Sequence, residues 1–168
     1  MTKEKIVETL LEKKMTIGSI ESFTGGLFAS TITSVPGASK VFPGSIVTYA
    51  NEVKMKLVGV SAKNIAIHGV VSKEVAKEMA EKGREVLGVD MCVSFTGNAG
   101  PTALDHLPVG RCFVAISTKY LTTTFELQIS SADRDAIREK AVETALTKVW
   151  NRLQVSREEE EKLVSLHN

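Results

Sequence analysis

Residues 17–29 read Ile-Gly-Ser-Ile-Glu-Ser-Phe-Thr-Gly-Gly-Leu-Phe-Ala, and they place a hydroxyl, Ser22, on a turn able to aim it. The apolar run 16–20 predicts a short buried strand, Gly25 and Gly26 a sharp turn, and the residues that follow a helix. Ser22 then stands where strand gives way to helix. Paired glycines let the backbone turn tightly and approach a ligand, and the free N–H groups of a new helix attract anions. The Ser22 hydroxyl is either a nucleophile or, with Thr24, an ordinary helix cap. Taken alone, the stretch favours the cap.

Other reactive side chains fall at similar boundaries. Tyr49 closes a predicted strand over 44–49, and Lys54 lies in a short helix over 51–57, capped by Asn51 and ended by Gly59. Thr96 and Gly97 end the apolar run 91–96 and open a loop to Pro108. Ligands of α/β sheets collect at loops beyond the strand ends, so the loops 22–26, 49–54 and 96–108 are expected to converge. Each residue also has a plain use: Lys54 as a solvated ammonium, Tyr49 as packing with a wet hydroxyl, Thr96 as a good strand former. Cys92 and Cys112 sit in apolar runs and read as buried thiols rather than a disulfide or redox pair. His68, His106 and His167 are scattered without zinc-like spacing, so neither a metal nor a cofactor is expected.

The elements that must position these groups alternate along the chain. Thr2 caps a helix to about Lys14 with Ile6, Val7, Leu10 and Leu11 on its apolar face. The helix from Gly25 stops near Val35-Pro36-Gly37, because proline disfavours a helical residue before it. A short helix is predicted over 61–67. Ser72 caps a longer one to about Leu87, with Val75, Ala76, Met79, Ala80, Gly83, Val86 and Leu87 on one face. Strands over 110–118 and 122–129 form a hairpin. A final helix over 133–153 carries Ile137, Ala141, Ala145, Val149 and Leu153 at every fourth position, and the charge run 157–162 is a solvated helical end or a frayed terminus. Strands separated by helices predict an α/β fold, a three-layer α/β/α sandwich with a mixed sheet.

With 168 residues, 43% hydrophobic and 24% charged, the chain suits one globular domain over 1–168. Its 21 basic and 20 acidic side chains give a net charge of +1, which provides no broad basic field for nucleic acid and points to a small-molecule partner. No apolar run approaches the ~20 residues that span a bilayer, and the N-terminus is amphipathic, so a cytoplasmic protein without membrane contact is expected.

Six motifs extend this outline: Glu21-Ser22-Phe23-Thr24-Gly25-Gly26, Val35-Pro36-Gly37-Ala38-Ser39, Tyr49-Ala50-Asn51-Glu52-Val53-Lys54, His68-Gly69-Val70-Val71-Ser72, Thr96-Gly97-Asn98-Ala99-Gly100-Pro101 and Pro108-Val109-Gly110. Their order and spacing resemble the CinA C-terminal domain family, over about residues 21–134. The resemblance implies a stand-alone form of a domain that full-length CinA proteins carry after a larger N-terminal one. It also implies nicotinamide mononucleotide amidohydrolase activity, which releases ammonia and leaves nicotinic acid mononucleotide. Amide hydrolysis needs a nucleophile, a base and an oxyanion stabiliser, and a nucleotide adds a phosphate. By resemblance Ser22 is the nucleophile and Lys54 its base, the amine lowered from its reference pKa of ~10.4 by partial desolvation and a helix N-terminus. Tyr49 positions the substrate or relays a proton. Thr24, Gly25, Gly26, Thr96 and Gly97 are expected to contact the substrate, with Thr96 and its turn offering donors to the amide or sugar.

Arg134 opens the long final helix, where the dipole opposes a cation. It is either an exposed partner of Asp135 or Glu139 or, as the resemblance implies, a two-pronged grip on the substrate phosphate. The family loop usually runs Gly-Ile-Ala-Gly-Pro, then paired glycines and Lys-Pro-Val-Gly. Here Asn98 replaces Ile, Thr102-Ala103-Leu104 stands where glycines are expected and Leu107 replaces Lys, while Phe23 replaces a smaller residue with its side chain toward the core. These departures leave a second outcome, a catalytically weakened ligand-binding or regulatory module of the same fold. The sequence leaves a homodimer or higher homo-oligomer open.

Overall fold

The computed structural model describes residues 2–103 and 106–167. Helix α1 (Lys3–Lys13) leads into strand β1 (Ile17–Glu21), followed by α2 (Leu27–Thr33), a 3-10 turn (Ala38–Lys40) and β2 (Ser45–Val47). A one-turn α3 (Asn51–Val53) then widens into a π-helical turn (Lys54–Val58), with α4 (Ala62–His68) and α5 (Lys73–Leu87) after it. The chain continues through β3 (Met91–Gly97), β4 (Arg111–Thr118) and β5 (Thr122–Gln128) to α6 (Arg134–Leu153) and α7 (Arg157–His167).

The strands form one mixed sheet in the order β2-β1-β3-β4-β5. β1 runs parallel to β2 and β3, and the hairpin adds β4 and β5 antiparallel. The carboxyl ends of β1, β2 and β3 therefore share one edge of the sheet. The period-two alternation of a strand sorts the core into two faces. Ile17, Met91, Val93, Phe95, Val114 and Ile116 pack with Ile6, Phe28, Ile32, Ile137 and Val149 of α1, α2 and α6. On the other face Ile20 and Cys92 pack with Val75 and Met79, and Phe113 and Ala115 with Ala76 and Ala80, all four partners on α5. The result is the three-layer α/β/α sandwich with a mixed sheet. No helix among the described residues is long and apolar enough to cross a membrane.

Caps at Thr2, Ser61, Ser72 and Asp133 accept from Lys5, Asn64, Val75 and Asp135 N–H, as short polar side chains do before a helix. Two expected caps are corrected. Neither Ser22 nor Thr24 caps α2, whose N-cap is Gly26 at φ 101°, a left-handed conformation that glycine takes without strain. Asn51 is already inside α3, and Ala50 is its N-cap. The charge run near the C-terminus is a helix, but one of its carboxylates is buried: Glu160 pairs with Arg152 at 3.4 Å and accepts from Thr118 Oγ1 at 2.9 Å.

Gly83 lets α5 lie directly on the sheet. A Cβ there would overlap the Ile20 side chain, which is fully buried and has nowhere to move. Gly83→Ala gains up to ~1 kcal/mol of helix propensity, but overpacking costs about 1–3 kcal/mol. The variant is expected to unfold at lower urea than the parent, measured as the denaturation midpoint.

Candidate active site

β1 ends on Glu21, a fully buried carboxylate. Its Oε1 accepts from Phe28 N–H (2.9 Å) and Thr24 Oγ1 (2.8 Å), and its Oε2 from Ala29 N–H (3.0 Å) and Ser19 Oγ (2.9 Å). Leu27 N–H is taken by the Thr24 carbonyl and Gly25 N–H by that of Ser22. The first N–H groups of α2, expected to be free for an anion, are thus used within the fold. A side chain seven residues back on the strand serves as the cap. Arg138 on α6 closes the turn from outside, donating to the Thr24 carbonyl at 2.9 Å. Phe23 points into the core, as expected.

The turn presents Ser22 to a buried amine. Lys54 is 1% exposed, and its Nζ lies 3.1 Å from Ser22 Oγ, 2.6 Å from the Thr48 carbonyl and 3.4 Å from the Tyr49 carbonyl. Burial lowers its pKa to about 8, against a smaller upward pull from Glu52. The expected depression is therefore present, and desolvation causes it. When the amine is neutral, its two N–H bonds can serve the two carbonyls while the lone pair faces the serine hydroxyl.

A 390 Å³ cavity opens over this pair, walled by Tyr49, Glu52, Val70 and Gly97 among others, and a 110 Å³ recess beside it reaches Asn98 and Arg134. The three expected loops do meet here. Thr96 lines the cavity, but its hydroxyl proton goes to the Val70 carbonyl at 2.7 Å, so the expected donor is occupied in fixing the wall. Thr24, Gly25 and Gly26 line neither space and shape the serine turn from behind. Arg134 pairs with neither Asp135 nor Glu139 among the described residues. Its guanidinium donates to Tyr49 Oη at 2.7 Å and to the Gly100 carbonyl, which brings the two side chains together at the mouth. Asp135 pairs with Arg138 instead.

In the departing loop, Asn98 Oδ1 accepts from Gly100 N–H at 3.0 Å, and Leu107 packs against Val71 and Phe113. Leu104, one of the residues that stand where glycines are expected, lies outside the described residues. Cys92 and Cys112 are buried free thiols, Cys112 pushed up to about 12 and Cys92 higher still by desolvation. Among the described residues no group of three or more His, Cys, Asp or Glu is gathered as metal ligands would be. Sequence reasoning missed Glu21 and Arg138 as supports of the Ser22 turn. The only local signal was a carboxylate in an apolar strand, which needs a partner wherever it is buried.

The lowered Lys54 pKa links the site to stability. Below pH 8 the amine is charged in both the folded and the unfolded chain, and the folded state bears the desolvation penalty. Between about 8 and 10.5 only the unfolded chain holds the extra proton, so stability rises with pH. The rise is expected to reach up to about 3 kcal/mol, and Lys54→Met should abolish it while stabilising the protein at neutral pH. Urea denaturation at several pH values checks both signs.

The CinA C-terminal domain model matches residues 1–153. A competence-damage inducible protein of Levilactobacillus brevis is 45% identical over 141 residues, 84% of this chain and 34% of the relative. One from Bacillus pumilus is 40% identical over 149 residues, 89% and 36% of the two lengths. The chain spans about a third of the length of these curated relatives. The crystal structure of a competence-damaged protein (CinA) superfamily protein from Escherichia coli aligns with a TM-score of 0.85 at 27% identity, covering 88% of this chain and 86% of that one. That of the competence/damage inducible protein CihA from Agrobacterium tumefaciens gives 0.82 at 28%, covering 90% and 95%. The match runs through every strand of the sheet and all the loops that meet at Ser22, and the chain belongs to the CinA C-terminal domain family.

Proposed function

We propose that the chain is a serine amidohydrolase that converts nicotinamide mononucleotide to nicotinic acid mononucleotide and ammonia. The observation that carries this reading is the 3.1 Å approach of a desolvated amine to Ser22 Oγ. A buried lysine with no ion-pair partner among the described residues weakens the fold, and a binding-only module has no use for it. A general base does have a use for it, because an amine titrating near 8 is about one-tenth neutral at pH 7 and ready to accept a proton.

In the proposed reaction Ser22 Oγ bonds to the carboxamide carbon as its proton passes to Lys54 Nζ. The Lys54 ammonium stands beside the developing oxyanion and then protonates the departing nitrogen. Ammonia leaves as the C–N bond breaks, and the acyl group remains as an ester of Ser22. Water attacks that ester, Lys54 takes the water proton and returns it to Ser22 Oγ, and the carboxylate product is free. Net, one amide and one water give one carboxylate and one ammonium ion. Tyr49 and Arg134 hold the far end of the substrate, with the guanidinium N–H groups not engaged by Tyr49 and Gly100 serving the phosphate.

Ser22→Ala should reduce ammonia release by several powers of ten while leaving the circular dichroism spectrum unchanged. In the parent, kcat/KM should rise with pH through a midpoint near 8, as the Lys54 amine loses its proton. Full turnover by a folded Ser22→Ala protein would refute the serine mechanism.

Arg134→Ala should lower kcat/KM on the mononucleotide by roughly 10- to 150-fold, the equivalent of one charged hydrogen bond or bidentate pair. The loss should be much smaller on the riboside, which lacks the phosphate. Equal losses on both substrates would assign Arg134 to the reacting amide or to the fold.

A further inference from the structure

A second cavity, of 310 Å³, lies at the opposite end of the sheet, where β1 and β3 begin and β4 ends. Six residues of β3 separate the two ends, about 20 Å at the rise of a strand. Its charged lining comprises Lys13, Arg84, Lys119, Arg152 and Arg157 against only Asp90 and Glu160. That excess contrasts with a net charge of +1 for the whole chain. Two of the cations are already engaged: Arg152 with Glu160, and Arg157 with Glu161 at 3.1 Å. Asp90 accepts from Thr16 N–H and Oγ1. Among the described residues Lys13, Arg84 and Lys119 form no ion pair, and the Nε of Arg84 is buried without a hydrogen-bond partner. Three unpaired cations facing a single unpaired carboxylate, Asp90, around one concavity repel each other, and a buried donor without a partner is rare.

The rest of the wall is apolar or aromatic. Met15, Met91, Leu153 and Val155 supply a greasy floor, and the Tyr120 ring stands at the rim with Arg157 stacked on it at 4.8 Å and Lys119 at 5.9 Å. The wall formed by Val155, Ser156, Arg157 and Glu160 lies beyond the residues that the family model matches. The buried Arg152–Glu160 pair and the Thr118–Glu160 hydrogen bond hold that wall in place.

We infer that this cavity is a binding site for a small organic anion, an aromatic or other apolar body bearing one carboxylate or phosphate. The apolar floor and the Tyr120 ring take the body, and Arg84, Lys119 and Lys13 take the charge. The site is separate from the Ser22–Lys54 centre and does not depend on what that centre hydrolyses.

The test is an NMR titration of the ¹⁵N-labelled chain with 2-naphthoate, 1-naphthyl phosphate, neutral 2-naphthamide and inorganic phosphate. The carboxylate and the aryl phosphate are expected to give saturable shifts at residues 118–120 and 153–157, and the stronger of the two identifies the anionic group preferred. The amide and inorganic phosphate should each bind at least about 10-fold more weakly, since each lacks one half of the recognition. Arg84→Gln, at a half-buried position, and Lys119→Gln, at an exposed one, should each weaken 2-naphthoate about 10-fold while the spectrum of the free protein stays that of the folded chain. Shifts confined to the Ser22 cavity, equal binding of the neutral amide, or unaltered affinity in both variants would each overturn the assignment.

Discussion

The carboxylate of Glu21 is fully buried, and four donors within 3.0 Å, from three parts of the chain, stand in for solvent. Each hydrogen bond to a buried charge is worth more than one between neutral groups, and losing any of them leaves the charge exposed to an apolar core. The last residue of β1, the first turn of α2 and the Thr24 hydroxyl are therefore held as one rigid piece. Ser22 lies inside that piece, so its position follows from the neighbouring carboxylate. Ser45 extends the network to the edge strand: its Oγ donates to the Ser19 carbonyl at 2.9 Å and lies 2.7 Å from Ser19 Oγ. The position of β2, and with it the Tyr49 loop, is thus tied to the same charge.

Lys54 is the opposite case. No carboxylate pairs with it among the described residues, the pull of Glu52 is weaker than the effect of burial, and its hydrogen-bond partners are backbone carbonyls and the serine hydroxyl. A carboxylate partner would keep it charged, whereas carbonyl oxygens orient it without fixing its proton. The π-helical turn that begins at Lys54 contributes to this. Gly59 N–H reaches the Met55 carbonyl and Val60 N–H the Lys54 carbonyl, which satisfies a widened turn and leaves the side chain inside the sandwich.

Much of the scaffold was legible from local pattern. All five strands and the caps at Thr2 and Ser72 follow from apolar periodicity and short polar side chains, which act within a few residues of themselves. The errors share a different origin. Glu21 caps a helix seven residues away only because the chain reverses between them, and no propensity of Ser22 or Thr24 reports that. Thr96 looks like a donor until the Val70 carbonyl arrives from the loop before α5. Glu160 reads as one more solvated charge in a run of four, and its burial depends on Arg152 in the preceding helix. Distance in sequence measures what could not be read. The gathering of Ser22, Tyr49 and Lys54 was legible from their places beyond strand ends, but the desolvation of Lys54 only through the family's motifs, since nothing in the residue itself distinguishes a buried amine from a surface one.

The sheet's two faces are covered by parts of the chain made at different times. One is closed by α5, which is complete before β3 is synthesised. The other mixes Ile6 and Leu10 of α1 with Ile137, Ala145 and Val149 of α6, the first helix with the sixth. While a chain grows from the ribosome, that second face stays open until α6 has emerged, and long-range closure of this kind is slow and exposes apolar surface. Arg138, which fastens the Thr24 carbonyl, arrives with the same helix. A nascent chain therefore holds its serine and its lysine early, and the turn that carries the serine is finished only when α6 has joined it.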